Sequence, residues 1–63
     1  MKVGLIGFGR LGKLLTQYMI QDFDLVIHDV VDHSEEIKSL GATPGTFEEA
    51  CKCPIVIPFV PIS

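Results

Sequence analysis

Basic residues and aromatic side chains are both scarce in this sequence. Five lysines and arginines stand against eight aspartates and glutamates, so the formal net charge is −3 at pH 7. Tryptophan is absent, and the four phenylalanines and one tyrosine are scattered along the chain. A nucleic-acid-binding surface needs a basic stripe to neutralise phosphates. The composition therefore argues against nucleic acid as a partner.

Cysteine is scarce as well. Cys51 and Cys53 are the two cysteines of the chain and are separated by one residue. They are too close for an easy disulfide and too few for a structural zinc site, which needs four ligands. No histidine stands at the spacing of a nucleophile pair, so packing is their expected role. We expect reduced, half-buried thiols in a cytoplasmic protein.

Long apolar runs are missing too. Nowhere do about twenty apolar residues follow one another, which is the length that a membrane-spanning helix needs. Met1-Lys2 is followed at once by a strand-like run, without the apolar segment and cleavage site of an export leader. We therefore expect neither a membrane anchor nor export.

The chain does contain strand-like and helix-like segments in alternation. Val3 to Ile6 is a short apolar run, typical of a parallel strand buried on both faces. From Arg10 the three-and-four spacing of a helix predicts that one face packs on the sheet through Leu11, Leu14, Leu15, Tyr18 and Met19. The opposite face would carry Lys13, Thr16, Gln17 and Gln21. A second strand is predicted at Leu25 to Ile27, where the polar pair His28-Asp29 marks its end.

Two further helices are predicted from the signals at their ends. Asp32 and Glu35 have the spacing of a capping box, and Gly41 can take the left-handed conformation that ends a helix. Thr46 and Glu49 repeat the capping-box spacing ahead of a third helix of one or two turns.

One strand is predicted after each of these helices. Ala42-Thr43 leaves room for only a brief edge strand before the turn at Pro44-Gly45. Pro54 to Ser63 is the most apolar stretch and predicts a fourth strand. Because proline cannot donate a ladder hydrogen bond, Pro58 predicts a bulge or an early end there.

The segments together predict an α/β fold. Four strands alternating with three helices imply right-handed crossovers and a parallel sheet, most simply in the order 3-2-1-4. This is the beginning of a doubly wound, Rossmann-type sheet, a domain that usually has five or more strands. We therefore expect residues 1–63 to be the N-terminal part of a dinucleotide-binding domain. The rest of the sheet and a catalytic or dimerisation domain would lie outside it.

A glycine motif lies between the first strand and the first helix. Gly7-Phe8-Gly9-Arg10-Leu11-Gly12 matches G-x-G-x-x-G. Its first glycine makes the tight turn, its second lets a pyrophosphate approach the backbone, and its third lets the helix lie close to the strand. Amides near the third glycine would face the phosphates, aided by the partial positive charge of a helix start. We expect cofactor contacts from all six residues, although Arg10 could instead be a solvated charge.

An acid follows the second strand at the distance that this motif requires. Asp29 would accept hydrogen bonds from the adenine ribose hydroxyls. A 2′-phosphate in the same place would meet a carboxylate, so NAD is favoured over NADP. Outside such a unit, the default reading of this aspartate would be a solvated turn residue or a helix cap.

A polar cluster follows the second strand and raises the question of a metal. Its members are His28, Asp32, His33, Glu35 and Glu36. Strand-exit and capping roles explain these residues better than metal coordination does. No metal site and no catalytic residue is assigned.

Three segments resemble prephenate and arogenate dehydrogenases of tyrosine biosynthesis. They are Gly-Phe-Gly-Arg-Leu-Gly-Lys-Leu-Leu at 7–15, Val-Ile-His-Asp at 26–29 and Val-Pro-Ile-Ser at 60–63. Plant-type arogenate dehydrogenases tend to have Ser-Arg after the histidine, which suits NADP, whereas this chain has Asp29-Val30. Pro58 is unusual for the family.

The resemblance implies an activity for an intact relative. Such a relative would oxidise prephenate or arogenate, with hydride transfer to NAD and loss of carbon dioxide, and would form a homodimer. Val60 and Pro61 would lie beside the cofactor, near its ribose and nicotinamide. The family's catalytic histidine and substrate-binding arginine belong to segments that this chain does not contain.

Two other readings remain open at this point. The β-hydroxyacid dehydrogenases and pyrroline-carboxylate-type reductases share the same opening motif and a similar valine-proline strand end. A nucleotide-sensing module without chemistry could also use the same loop.

Overall fold

The protein is described here by a computed structural model that covers residues 1–59. Its elements are β1 (Lys2–Ile6), α1 (Arg10–Met19), β2 (Asp24–His28), α2 (Ser34–Ser39), β3 (Thr43–Pro44), α3 (Phe47–Cys51) and β4 (Ile55–Pro58). All strand pairs are parallel, and the order β3-β2-β1-β4 confirms the prediction. The predicted α/β, Rossmann-type topology is therefore present in this part of the chain.

The core lies on the two central strands. Val3 and Leu5 of β1 pair in register with Leu25 and Ile27 of β2, and all four side chains are at most 2% exposed. Phe8, Ile37 and Ala42 complete the same buried cluster. Apolar burial at this scale contributes about 1.5–3 kcal/mol for each large side chain. The apolar runs of the sequence therefore form the centre of the sheet.

The second face of β1 is closed by α3 at very short range. Gly4 points away from Val3 and Leu5 because side chains alternate along a strand. A Cβ atom on Gly4 would overlap the carbonyl group of Ala50, which is itself fully buried. The sheet is thus covered on both faces, and Gly4 sets how close α3 can lie.

The predicted packing face of α1 is wrong. Three of its members are exposed: Leu11 by 59%, Leu14 by 50% and Tyr18 by 69%. Gly12 and Thr16 face the sheet instead, and Thr16 is fully buried although it is polar. Its hydroxyl donates to the Gly12 carbonyl oxygen at 2.7 Å, so its burial leaves no polar group unpaired.

The close contact at Gly12 explains this orientation. A Cβ atom on Gly12 would lie 3.1 Å from the Gly7 carbonyl oxygen. Small residues allow the helix axis to approach the sheet, so the face that carries Gly12 packs inward. Leu15 and Met19 lie at the margin of this contact and are partly buried.

The helix ends match the sequence signals in part. The capping box of Thr46 and Glu49 is confirmed by two bonds: the Glu49 amide donates to the Thr46 hydroxyl at 3.1 Å and the Thr46 amide to the Glu49 carboxylate at 2.9 Å. Gly41 has φ +91° and ends α2 as predicted. The capping box of Asp32 and Glu35 does not form.

In place of that box, Asp32 makes a tighter local turn. Its carboxylate accepts both the Ser34 amide at 2.9 Å and the Ser34 hydroxyl at 2.6 Å. The helix consequently begins at Ser34, with His33 as a cap residue that makes no side-chain cap bond. Asp32 therefore bonds to the nearby Ser34 and not to Glu35, its predicted partner.

Two further predictions concern the burial of the cysteines at the end of α3 and the end of β4 at Pro58. Cys51 is exposed, and only Cys53 is half-buried, so the burial expected for both is wrong for Cys51. Ala50, one residue earlier, is the residue that α3 turns toward the sheet. The early end at Pro58 is confirmed, since β4 stops there. Residues 60–63 lie outside the described part.

Within residues 1–59, none of the helices has both the length and the apolar character to cross a bilayer.

The contact between Gly4 and α3 predicts a large effect of one methyl group. Gly4→Ala should lower the free energy of unfolding by roughly 1–3 kcal/mol, because α3 or β1 must shift to remove the overlap. Urea denaturation followed by circular dichroism measures this change. Lys2→Ala, at an exposed position of the same strand, is the matched control and should change stability by less than about 0.5 kcal/mol. Equal effects of the two substitutions would contradict this account of the packing.

Candidate functional site

The glycine motif lies where β1 passes into α1. Strand β1 ends at Ile6, and α1 begins at Arg10. Because the strands are parallel, the carboxyl ends of β1, β2 and β4 lie at one edge of the sheet. Ligands of doubly wound sheets bind outside this edge. The predicted strand-to-helix placement of the motif is present.

A cleft of about 590 Å³ opens at this edge. Six of its lining residues were predicted as cofactor contacts or belong to the motif: Gly7, Gly9, Arg10, Leu11, Gly12 and Asp29. Five others were not predicted: Ile6, His28, Val30, Pro58 and Phe59. The structure therefore brings the motif and the acid together on one concave surface.

The three motif glycines occupy different surroundings. Gly7 has φ +105°, and a Cβ atom there would overlap the Phe59 carbonyl oxygen. Gly12 is limited by the backbone of the loop itself, as described above. Around Gly9, by contrast, no atom of residues 1–59 apart from its two chain neighbours lies within 4 Å of the position that a Cβ would take. Packing within residues 1–59 thus accounts for two of the glycines and leaves the third facing open space.

The start of α1 carries no side-chain cap. Gly9 is the N-cap residue, it accepts only through its carbonyl group from the Lys13 amide at 2.9 Å, and the first turn has no acidic residue. The first amides of a helix have no partner within the helix and attract anions together with the helix dipole. Within residues 1–59, the start of α1 beside Gly9 therefore has neither a side-chain cap nor an acidic residue in its first turn.

Asp29 faces the loop from the end of β2. One carboxylate oxygen accepts the Phe8 amide at 2.6 Å, and the other accepts the Val31 amide at 2.9 Å. The Val31 bond has the largest effect and lowers the pKa of the Asp29 carboxyl below its ordinary value of 3.8. Burial, the second-largest effect, opposes it, and the Phe8 bond lowers the pKa further. The carboxylate is thus ionised at neutral pH and directed at the glycine loop.

Phe8 occupies a different place from the rest of the motif. Its ring is 1% exposed and belongs to the core, where it lies 5.4 Å from the His33 ring. Its amide is bonded to Asp29. The contact with a cofactor predicted for Phe8 would therefore have to come from its backbone carbonyl or from its hold on Asp29.

Of the remaining predicted cofactor contacts, the structure describes Arg10 but not Val60 and Pro61. Arg10 is exposed and lines the cleft at the first helical residue. Val60 and Pro61 lie outside the described residues, so their predicted place near the cofactor stays a prediction.

Of two apolar residues at the mouth of the cleft, Val30 was missed by the sequence analysis, whereas Leu11 was among the predicted cofactor contacts. Val30 is 95% exposed, and Leu11 across the cleft is 59% exposed. Val30 follows the predicted ribose acid directly, which was a usable signal. Leu11 was assigned to the packing face of α1, so its exposure could not be anticipated.

The polar cluster after β2 is dispersed. The Nδ1 atom of His28 lies 3.2 Å from the Gly45 carbonyl oxygen, and its ring stands edge-on to Phe47. His33 packs on Phe8, and Asp32 holds Ser34. Within the described residues, no group of three potential ligands converges on a point that could hold a metal ion.

The two amide bonds to Asp29 predict its titration. Because its pKa is lowered in the folded state, the stability from these bonds is present above pH 3.8 and is lost as the pH falls through the lower, folded value. Carbon-detected NMR of the Asp29 carboxyl should give a midpoint below 3.8. The Phe8 and Val31 amide protons should shift in the same transition. A midpoint at or above pH 3.8 would refute the bonding pattern. Phe8 and Val31 amide shifts that do not change in this transition would refute it as well.

Comparison of the chain with protein-family models, with curated proteins and with solved structures finds no match in any of the three. The resemblance to prephenate and arogenate dehydrogenases therefore stays a prediction from the sequence. Any functional assignment depends on the geometry of the cleft.

Proposed function

We propose that this chain binds NAD in the cleft at the carboxyl ends of β1 and β2, as the nucleotide-binding portion of a dehydrogenase. The observation that carries the proposal is the uncapped start of α1 at Gly9. There the missing side chain leaves a space that none of the described residues outside the loop fills. A carboxylate, Asp29, stands across the same cleft.

The diphosphate of the cofactor would lie beside Gly9. The amides of Arg10 and Leu11 open the helix and would donate to phosphate oxygens. Arg10 lines the cleft and can add a charge-assisted contact. A side chain at position 9 would occupy the same space.

The adenine ribose would lie against Asp29. Each carboxylate oxygen accepts one amide, and a carboxylate oxygen has capacity for a further hydrogen bond. The ribose hydroxyls can supply those donors. A 2′-phosphate would place a second negative group beside an ionised carboxylate, so NAD is preferred to NADP.

The adenine ring would lie between Leu11 and Val30. Both side chains are apolar, more than half exposed and on the wall of the cleft. Covering them with a flat aromatic base would remove apolar surface from water, at about 25 cal/mol for each Å². A bound adenine ring would thus cover the exposed side chain of Val30.

The chemistry follows from the cofactor and from the resemblance. NAD, when bound, accepts a hydride at C4 of its nicotinamide ring. The proposed reaction is oxidation of prephenate or arogenate with loss of carbon dioxide, in a cytoplasmic homodimer of the complete enzyme. The residues described here would bind and orient the nucleotide, and no catalytic role is assigned to any of them.

The position of Gly9 predicts the first test. Gly9→Val should lower NAD affinity by about a hundredfold or more, because a branched side chain fills the space of the diphosphate. Gly9→Ala should have a smaller effect. Isothermal titration calorimetry measures both, with Gln17→Val, on an exposed part of the same helix, as the control. Unchanged affinity in Gly9→Val would contradict the proposed phosphate position.

The role of Asp29 predicts the second test. Asp29→Ala should lower NAD affinity by roughly tenfold or more, because hydrogen bonds to a charged group are lost. NADP affinity should fall by a smaller factor, since the repulsion of its 2′-phosphate is relieved. Titrating both nucleotides against wild type and variant gives the two ratios. An equal loss for NAD and NADP would argue against Asp29 as the ribose acceptor.

A further inference from the structure

The parallel ladder between β1 and β2 continues beyond the last residue of β1. The Gly7 amide donates to the His28 carbonyl oxygen at 2.6 Å, which is the next bond after the strand pairing. The following link is made by a side chain: the Phe8 amide donates to the Asp29 carboxylate at 2.6 Å. The glycine loop is thereby tied to β2 through two successive amides.

Asp29 is itself held in position for this bond. Its second carboxylate oxygen accepts the Val31 amide at 2.9 Å, which restricts the rotation of the side chain. On the loop side, the Phe8 ring is buried in the core and fixes the residue whose amide is bound. Both partners of the Phe8–Asp29 bond are therefore anchored independently of any ligand.

We infer that Asp29 is a positioning residue for the phosphate loop, in addition to its proposed contact with the ribose. Its carboxylate takes the Phe8 amide and holds the loop so that the next amides, at the start of α1, face the cleft. The loop is then preset for a diphosphate before a ribose is bound. The identity of the ligand rests on the proposed function, whereas the bond between Asp29 and the loop does not.

Electrostatics alone predicts the opposite effect of removing Asp29. A carboxylate in the cleft repels a polyanion, so its removal should tighten the binding of a diphosphate that has no ribose. If Asp29 positions the loop, its removal should weaken that binding. The sign of the change therefore separates the two roles.

The test uses inorganic pyrophosphate, which lacks a ribose, and NAD, which has one. Binding to the full chain is measured by NMR titration for wild type, Asp29→Ala, Asp29→Asn and the control Asp22→Ala. Asp22 is an exposed acid in the turn before β2, at the opposite edge of the sheet, and its removal changes the net charge equally. Asp29→Ala should weaken pyrophosphate at least threefold. Asp29→Asn should lie between it and wild type, because its amide oxygen can still accept one bond.

The outcomes are distinct. Pyrophosphate affinity that is unchanged or increased in Asp29→Ala, while NAD affinity falls, overturns the positioning role and leaves the proposed function standing. Wild type that binds NAD but not pyrophosphate also overturns the positioning role. Wild type that binds neither ligand overturns the proposed function, and the inference with it.

A second measurement covers the case in which Asp29→Ala does not fold. In wild type without ligand, the amide signals of Arg10 and Leu11 should move as Asp29 becomes protonated, because release of Phe8 frees the loop. Movement confined to Phe8 and Val31 would show that the loop keeps its place without the carboxylate, and would overturn the inference.

Discussion

The structure depends on the close approach of α1 to the end of β1. That approach requires a residue without a side chain at Gly12, where an added Cβ atom would lie 3.1 Å from the Gly7 carbonyl oxygen. Gly7 is itself limited by its φ of +105° and by the Phe59 carbonyl group after β4. The first residues of the helix line the same cleft as His28 and Asp29 at the end of β2. The cleft forms where the start of this helix, Asp29 after β2 and Phe59 after β4 come together.

Much of this arrangement could be predicted from local signals in the sequence. Apolar runs at β1 and β2, the glycine spacing and the acid after β2 are local signals, and each corresponds to an element that the structure contains. The order of the strands follows from right-handed crossovers between parallel neighbours, which leave few alternatives. The residues that line the cleft from the motif and from Asp29 could therefore be named in advance.

The errors have a common physical cause, since each arose where a tertiary or competing local contact overrides a pattern. Hydropathy assigned Leu11, Leu14 and Tyr18 to the core, but the small residues Gly12 and Thr16 allow closer packing and face the sheet instead. Spacing assigned Asp32 to a capping box, but the Ser34 hydroxyl is nearer. The tie between Asp29 and Phe8 joins residues 21 positions apart, and no local pattern marks it.

The proposed NAD site depends on the amides at the start of α1, which would receive the diphosphate of the cofactor. The most direct measurement is the map of backbone amide shifts in a ¹⁵N-labelled chain as NAD is added. The account predicts that the largest changes occur at Arg10, Leu11 and Gly12, with smaller ones at Asp29 and Val30. Changes centred on the cavity at the other edge of the sheet, which is lined by Lys2, Lys52 and Cys53, would contradict it.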